Sequence, residues 1–486
     1  EGKVVNNFET NKGQTIESFK NKYVEGLIDS YAIYQDILTT SNKTHHYILT
    51  SWIDESYILP IKNETKTTKQ TNKETYKFKV KVVGVDTPIT IEEKSSSLDT
   101  SGANAPVLAS NMIPVYYDEA NNVWKKADKN NSEKEYRWYS YESSGEYKGM
   151  WANAVTVKEA NRQTYLNATP GTIIPMDDIT TMWVWIPRFN AVTPSNYNGG
   201  AKNNPGAIDV SFVKQNETAI DAFTFGDKQL SGFWYGKFEI SHTTLASSST
   251  ANNLGCSNET CSNANGIIIK PNVTSLRYNN VSNFFYASRS MEQTGNSFGF
   301  VSSEVDTHMS KNNEWGAVAY LTHSIYGRCT SSTLCTEIGI NNKQGHITGY
   351  GAPAGSNSSQ TNGAYNTELG KNASTTRTIY GIYDMSGGSQ KYVMGVYNNT
   401  ISNSGFSSLP DEKYYNNYTV IGYSGHALTE TQEWYWDAAI YVESGYPWYS
   451  RGGMFLDSSG AGVFYFSKAN GVPGNFSSSR LVISNE

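Results

Sequence analysis

The spacing of apolar and polar positions changes character along the chain. Ile16, Phe19, Tyr23, Leu27, Tyr31, Tyr34 and Leu38 recur every three or four residues, with Lys20, Glu25, Asp29 and Gln35 between them. That period predicts one helix over residues 16–40 with a single buried stripe. Further on, Tyr76, Phe78, Val80 and Val82 alternate with Lys77, Lys79 and Lys81, the period of a half-buried strand, and Ile89 and Ile91 continue it. A helix packed on a few strands makes residues 1–94 a small N-terminal module, and the polar run over 95–106 reads as a linker. Short aromatic strands then take over. Val115, Tyr116 and Tyr117 with Val123 and Trp124, and Trp138 and Tyr139 with Trp151 and Ala152, predict two hairpins in an extension over 107–180. Residues 181–486 are loop-rich, with helical potential only in stretches such as 281–290; loops of this length are uncommon in compact domains unless they carry function.

Composition narrows the function classes. Lys and Arg number 39 against 45 Asp and Glu, a net charge of −6, which argues against nucleic acid as a partner because phosphate binding needs clustered cations. No apolar run approaches the ~20 residues that span a bilayer, so membrane contact by this chain is not expected. The first residue is Glu1, not Met, which suggests a processed chain. The 34 Tyr, 18 Phe and 11 Trp, set among abundant Asn and Ser, favour strands, long loops and adhesive surfaces. Cys256 with Cys261 and Cys329 with Cys335 form two local pairs. Two disulfide clips, and hence an extracellular or cell-surface location, are favoured over a four-thiolate zinc site, whose arms are usually shorter than the Cys329 to Cys335 interval.

Catalytic motifs are missing from the sequence. The seven histidines show neither H-x-x-x-H nor H-E-x-x-H spacing, and no G-x-S-x-G elbow, P-loop or dinucleotide fingerprint occurs. Asp306-Thr307-His308 reads as a turn capping the next helix rather than a site. No catalytic residue and no cofactor are expected.

Several segments carry a family resemblance. Met182-Trp183-Val184-Trp185-Ile186-Pro187 resembles the opening strand of the formylglycine-generating-enzyme-like domain, a branch of the C-type-lectin fold. Gly236-Lys237-Phe238-Glu239-Ile240-Ser241 is similar to its next strand, and Pro271-Asn272-Val273 with Phe284 to Ala287 to its first turn and helix. Asn313-Glu314-Trp315-Gly316-Ala317-Val318-Ala319-Tyr320 resembles its second helix, Gly381-Ile382-Tyr383-Asp384-Met385-Ser386-Gly387 its "G-L-x-D-M-x-G" motif, and Arg451-Gly452-Gly453 its "R-G-G". The usual "G-N-V-W-E-W" is replaced by Gly387-Gly388-Ser389-Gln390-Lys391-Tyr392, and the closing "G-F-R" by Ser478-Ser479-Arg480. No cysteine comes after Cys335, whereas the catalytic members hold copper with a cysteine pair after "R-G-G", so the resemblance does not extend to the oxidase activity. It implies an α+β, loop-rich C-type-lectin fold. Some members hold a structural calcium ion where Asp384 stands; the calcium-dependent sugar motifs "E-P-N" and "W-N-D" are absent.

The tail from Trp434 to Arg480 resembles more closely the variable proteins of bacterial and phage diversity-generating retroelements. Their fixed frame is matched by Trp434-Tyr435-Trp436-Asp437, Pro447-Trp448, Arg451-Gly452-Gly453 and Ala461-Gly462-Val463-Phe464-Tyr465-Phe466. Between frame pieces lie Trp436, Ile440, Glu443, Tyr446, Ser450, Met454, Leu456, Lys468, Val472 and Phe476. The resemblance implies that these ten form a diversified ligand-binding face, with a protein or surface ligand on a host, phage or neighbouring cell as partner. Rigid aromatics beside Ser, Gly and Asn are the chemistry of paratopes. A second reading makes residues 1–94 a pilin-like stalk that self-assembles into a filament; a third, a divergent copper oxidase.

Overall fold

The computed structural model describes residues 97–485 apart from 246–248, 258–259, 359–361 and 421–433, together with four two-residue strands nearer the N-terminus. The chain divides into two units, Glu1–Ser96 and Ser97–Glu486. In the first, Phe8–Glu9 pairs antiparallel with Thr15–Ile16, and Phe19–Lys20 with Tyr31–Ala32. Ile16, Phe19 and Tyr31 are therefore extended, not turns of one helix over 16–40. Ile, Phe and Tyr are mediocre helix formers and good strand formers, so spacing alone misleads here. The strand expected at 76–82 and its continuation at 89–91 lie outside the described residues.

The second unit is mixed α/β, mostly sheet with few helices. Its large sheet grows around the one long apolar run. That strand, β4 (Ile179–Pro187), is buried along nearly its whole length, as a strand covered on both faces must be. Ahead of it come β1 (Ile113–Asp118), β2 (Val123–Lys126) and β3 (Asn153–Val157); after it come β5 (Gly232–Gly236) and β6 (Val305–Met309). The final strand, β12 (Leu481–Asn485), closes the sheet in the order β6-β12-β5-β4-β3-β1-β2. β12 is thus an interior strand, with Thr307 opposite Ile483 on one side and Trp234 opposite Ile483 on the other.

The first expected hairpin forms as β1 and β2, with Tyr117 opposite Trp124. The second is reduced to one antiparallel bridge, Ser140 to Met150, next to the expected pair, and β3 begins only after it, at Asn153. Trp138 packs inward instead, its indole N–H donating to the Asn153 carbonyl (2.7 Å).

The second sheet centres on β7 (Gln390–Tyr397), flanked by β8 (Asn416–Tyr418) and β9 (Trp448–Arg451), with β10 (Phe466–Ala469) beyond β9 and β11 (Ser477–Ser479) pairing parallel with β7. Three helices matter. α1 (Glu159–Asn167) comes directly after β3, and α2 (Val281–Arg289) starts where Asn280 accepts from the Asn283 N–H (2.9 Å). α3 (Asn312–Thr322) is buried along its entire length. Residues 306–308 are strand β6, not the expected capping turn. His308 is enclosed there by Asp306 and Glu314, each 3.0 Å from one ring nitrogen, and that buried ion contact outweighs any local turn preference. No helix among the described residues is long and apolar enough to cross a membrane.

α3 ties the sheets together. The Trp315 indole N–H donates to the Val463 carbonyl (2.9 Å), and Arg451 Nε donates to Asn312 Oδ1 (2.8 Å). Below them Glu239 and Lys391 form a fully buried ion pair at 3.0 Å, and Arg480 donates to the Gly236 carbonyl (2.9 Å) and to the Tyr383 carbonyl. Trp315 and Trp448 are both wholly buried. Replacing either with alanine is expected to cost about 3–5 kcal/mol of folding stability, measured by chemical denaturation; a loss under about 1 kcal/mol in both would contradict this packing.

Candidate ligand-binding face

The tail alternates between anchors and outward-facing side chains. Trp434 packs edge-on against Phe464 and His323, with ring centroids at 5.0 and 5.2 Å. Asp437 is buried and accepts from the Phe464 N–H (2.9 Å). Its carboxylate oxygens lie 2.0 Å from where a Cβ on Gly462 would stand, so residue 462 must be glycine. Trp448 stacks on Phe406 (5.9 Å) and donates to the Ile401 carbonyl (3.0 Å).

Between Trp434 and Asp437 the backbone makes a costly move. Tyr435 (φ 53°) and Trp436 (φ 72°) are consecutive left-handed residues without being glycine, a conformation worth about 1–3 kcal/mol of strain each. Tyr435 is held there by its N–H, which donates to the Lys202 carbonyl (2.9 Å). The result is that Tyr435 and Asp437 face inward while Trp436 is 57 % exposed, with the Lys202 ammonium 3.8 Å from its ring centroid.

The ten sequence-derived positions divide by exposure. Trp436, Ile440, Tyr446, Leu456, Val472 and Phe476 are exposed, Leu456 the most at 61 %. Glu443, Met454 and Lys468 are half-buried. Ser450 departs from the expectation: it is buried on β9, its hydroxyl donating to the Ser467 carbonyl (3.3 Å) and accepting from Gln390 Nε2 (2.7 Å). Its cross-strand pairing with Ser467 turns the hydroxyl into the sheet. Three of the ten meet directly. Lys468 pairs with Glu443 at 2.5 Å and sits 5.4 Å from the Tyr446 ring centroid. Ile440 joins the same edge through its N–H, which donates to the Phe466 carbonyl (2.9 Å). Phe476 meets another partner, His346, whose ring contacts both it (5.7 Å) and Phe455 (4.7 Å).

Lys202, His346 and Gln390 support this face but carry no signal in the sequence, since each arrives from a segment distant in the chain. His346 Nδ1 is 2.9 Å from the Ser389 hydroxyl, a contact that invites a nucleophilic reading. Ser389 is fully buried, so its hydroxyl cannot meet a substrate. Asp384 does not suit calcium: its oxygens accept from Asn341 Nδ2 (2.7 Å) and the Gly349 N–H (2.9 and 3.2 Å), donors a cation would have to displace. Burial, aided by the nearby Glu239 charge, raises its pKa to about 6. The four cysteines form the disulfides Cys256–Cys261 and Cys329–Cys335.

No protein-family model and no curated protein matches the chain. Similar solved structures include Treponema denticola variable protein 1, at 10 % identity over 62 % of this chain and 95 % of that one with a TM-score of 0.26. The Major Tropism Determinant I1 variant matches at 12 % identity over 80 % and 98 % with a TM-score of 0.25. The U1 variant of the same protein matches at 14 % over 66 % of each chain with a TM-score of 0.21. Scores this low do not establish a shared fold.

Two outcomes are expected of this geometry. Leu456→Ser and Ile440→Ser should each change stability by less than about 0.5 kcal/mol, read by thermal melts beside the tryptophan variants; losses as large as those of Trp448→Ala would mean the face is core. Burial pushes both His346 and His323 down from 6.5 to about 4. The unfolded chain then binds protons that the folded chain refuses between these values. Each histidine therefore contributes stability that is complete above about pH 6.5 and is lost as pH drops to about 4. The carboxyls of Asp384, raised by burial to about 6, and Glu337, raised by burial to about 7, oppose that loss over the same range. The stability of His346→Gln relative to the parent chain should rise as pH falls from about 6.5 to about 4, measured by denaturation at a series of pH values, and a difference that stays constant across that window would refute the assignment.

Proposed function

We propose that the chain is a non-enzymatic binding protein. Residues 181–486 form a C-type-lectin-fold display domain of the formylglycine-generating-enzyme-like branch, and the tail from Trp434 to Arg480 is its recognition surface. The observation that carries this reading is the alternation within that tail. Trp434, Asp437, Trp448, Arg451 and Phe464 are buried, whereas Trp436, Ile440, Tyr446, Leu456, Val472 and Phe476 are exposed. Soluble proteins seldom leave so many large apolar side chains on one short segment without a partner, and exposed Trp and Tyr are the residues that most often dominate binding energy. A frame that bears the packing while intervening side chains face solvent suits diversification, because exchange at those sites leaves the core intact. Nine of the ten positions remain candidates for contact; Ser450 acts by holding Gln390 and the sheet.

The ligand is a protein or surface structure on another cell or particle, met outside the cell or at its surface; two disulfides fit an oxidising setting. Residues 1–94 serve as the presenting module. Copper-oxidase chemistry is not supported, since the tail contains no cysteine.

A screen of the full chain against displayed extracellular proteins and immobilised glycans tests the proposal. A captured protein should lose at least about tenfold in affinity with Trp436→Ala combined with Tyr446→Ala, a loss typical of interface anchors, while the melting temperature stays unchanged. Capture undiminished by the double variant, or capture through residues 1–94 alone, would overturn it.

A further inference from the structure

One cluster of metal-ligating side chains lies outside the proposed recognition chemistry. Among the described residues, His323, Cys329 and Cys335 each offer a donor atom within 4.8 Å of the other two, and all three side chains are buried. In the structure the cysteines form a disulfide. The neighbouring contacts determine how the two sulfurs stand once that bond is cut.

Cys329 and Cys335 face each other across an antiparallel bridge, and the Thr330 N–H donates to the Leu334 carbonyl (2.8 Å) within the clip. Both ends are held by one buried guanidinium. Arg328 donates through Nε to the Thr336 carbonyl (3.0 Å), through Nη2 to the Glu337 carbonyl (2.7 Å), and through Nη1 to the Asn372 and Ser374 carbonyls (both 3.1 Å). These bonds do not depend on the sulfur–sulfur bond, so the two thiols stay adjacent after reduction. His323 is fixed as well: its Nε2 lies 3.3 Å from the Pro205 carbonyl. The Gly206 backbone also hydrogen-bonds the ring. A neutral imidazole whose N–H donates to a backbone carbonyl has a lone pair on its second nitrogen, the arrangement common among metal-bound histidines.

We propose that reduction converts this clip into a site for one thiophilic d10 ion, exemplified by zinc, held by the Cys329 and Cys335 thiolates and the His323 imidazole. Two sulfurs and one nitrogen are a familiar zinc donor set, with a fourth position left for water. The chemistry balances. Two molecules of a small thiol reductant reduce the disulfide and become a disulfide themselves. The zinc ion then displaces two protons, one from each protein thiol.

The site would report to the recognition surface. The His323 ring contacts Trp434, Tyr435 and Phe464 at 5.2, 5.5 and 5.5 Å. The loop that supplies the Lys202 carbonyl to Tyr435 also binds the clip, through the Ala207 N–H to the Ser332 carbonyl and the Ile208 N–H to the His323 carbonyl (both 2.8 Å). The redox and metal state of the clip therefore acts on the support of Trp436, whatever the ligand.

The experiment uses the full chain, reduced and freed of reductant under anaerobic conditions, with zinc competed against a chromophoric chelator. Reduced protein should bind one zinc that oxidised protein does not. Binding should vanish in Cys329→Ser with Cys335→Ser, persist in Cys256→Ser with Cys261→Ser, and weaken at least tenfold in His323→Gln. Should His323→Gln fail to fold, cobalt(II) in the reduced wild type decides, because tetrahedral thiolate ligation gives near-ultraviolet charge-transfer bands. No uptake, uptake that depends on Cys256 and Cys261, undiminished binding by folded His323→Gln, or a cobalt spectrum without thiolate bands would each overturn the proposal.

Discussion

The chain's last strand, inserted between β5 and β6, organises the second unit. Leu481, Val482 and Ile483 are wholly buried there, and each burial is worth roughly 1.5–3 kcal/mol. The tail before them is therefore pinned at its far end by a sheet and at its near end by Trp434 against Phe464. Substitution of side chains that face solvent from a segment fixed at both ends changes stability little. This is the physical basis on which Trp436, Ile440, Tyr446, Leu456 and Phe476 can be solvent-facing without loosening the fold.

Buried charge is the second constraint. Glu239 and Lys391 gain each other, but two ions removed from water are compensated only when the remaining donors and acceptors are filled. Here they are: Glu239 also accepts from the Ser389 N–H (2.8 Å), and Lys391 also donates to the Gly387 carbonyl. The same logic governs β6. Burial opposes a charge on His308, yet the Glu314 charge and the hydrogen bonds its ring donates to Asp306 and Glu314 outweigh it and raise its pKa. Such networks are weak sources of net stability but strongly specify which segments meet.

Parts of the fold could be read directly. The strand over 182–187 was implied by its resemblance to a family's opening strand, and β4 is that strand, covered on both faces. A short helix near 281–290 was expected from the sequence, and α2 is that helix, with the Asn280 cap supplied by the structure. The spacing at 16–40 misled, since Ile16, Phe19 and Tyr31 satisfy a helical stripe and a strand pair equally. The second hairpin shrank to the Ser140–Met150 bridge, with the Trp138 indole turned inward to the Asn153 carbonyl. Ser450 was grouped with its neighbours by sequence position, and only its cross-strand pairing reveals that its hydroxyl is spent.

Order along the chain was enough for whatever depends on near neighbours: the two cysteine clips, the first aromatic hairpin and the short helix near 281–290. Contacts between segments far apart in the chain were settled only by folding. Lys202 under Trp436, His346 between Phe455 and Phe476, Gln390 on Ser450, and His323 beside Cys329 and Cys335 all join residues from different segments. Local periodicity reports which side of an element is apolar. It carries no information about which distant side chain fills the space opposite, because that choice is made by the free energy of burying and pairing the whole sheet at once.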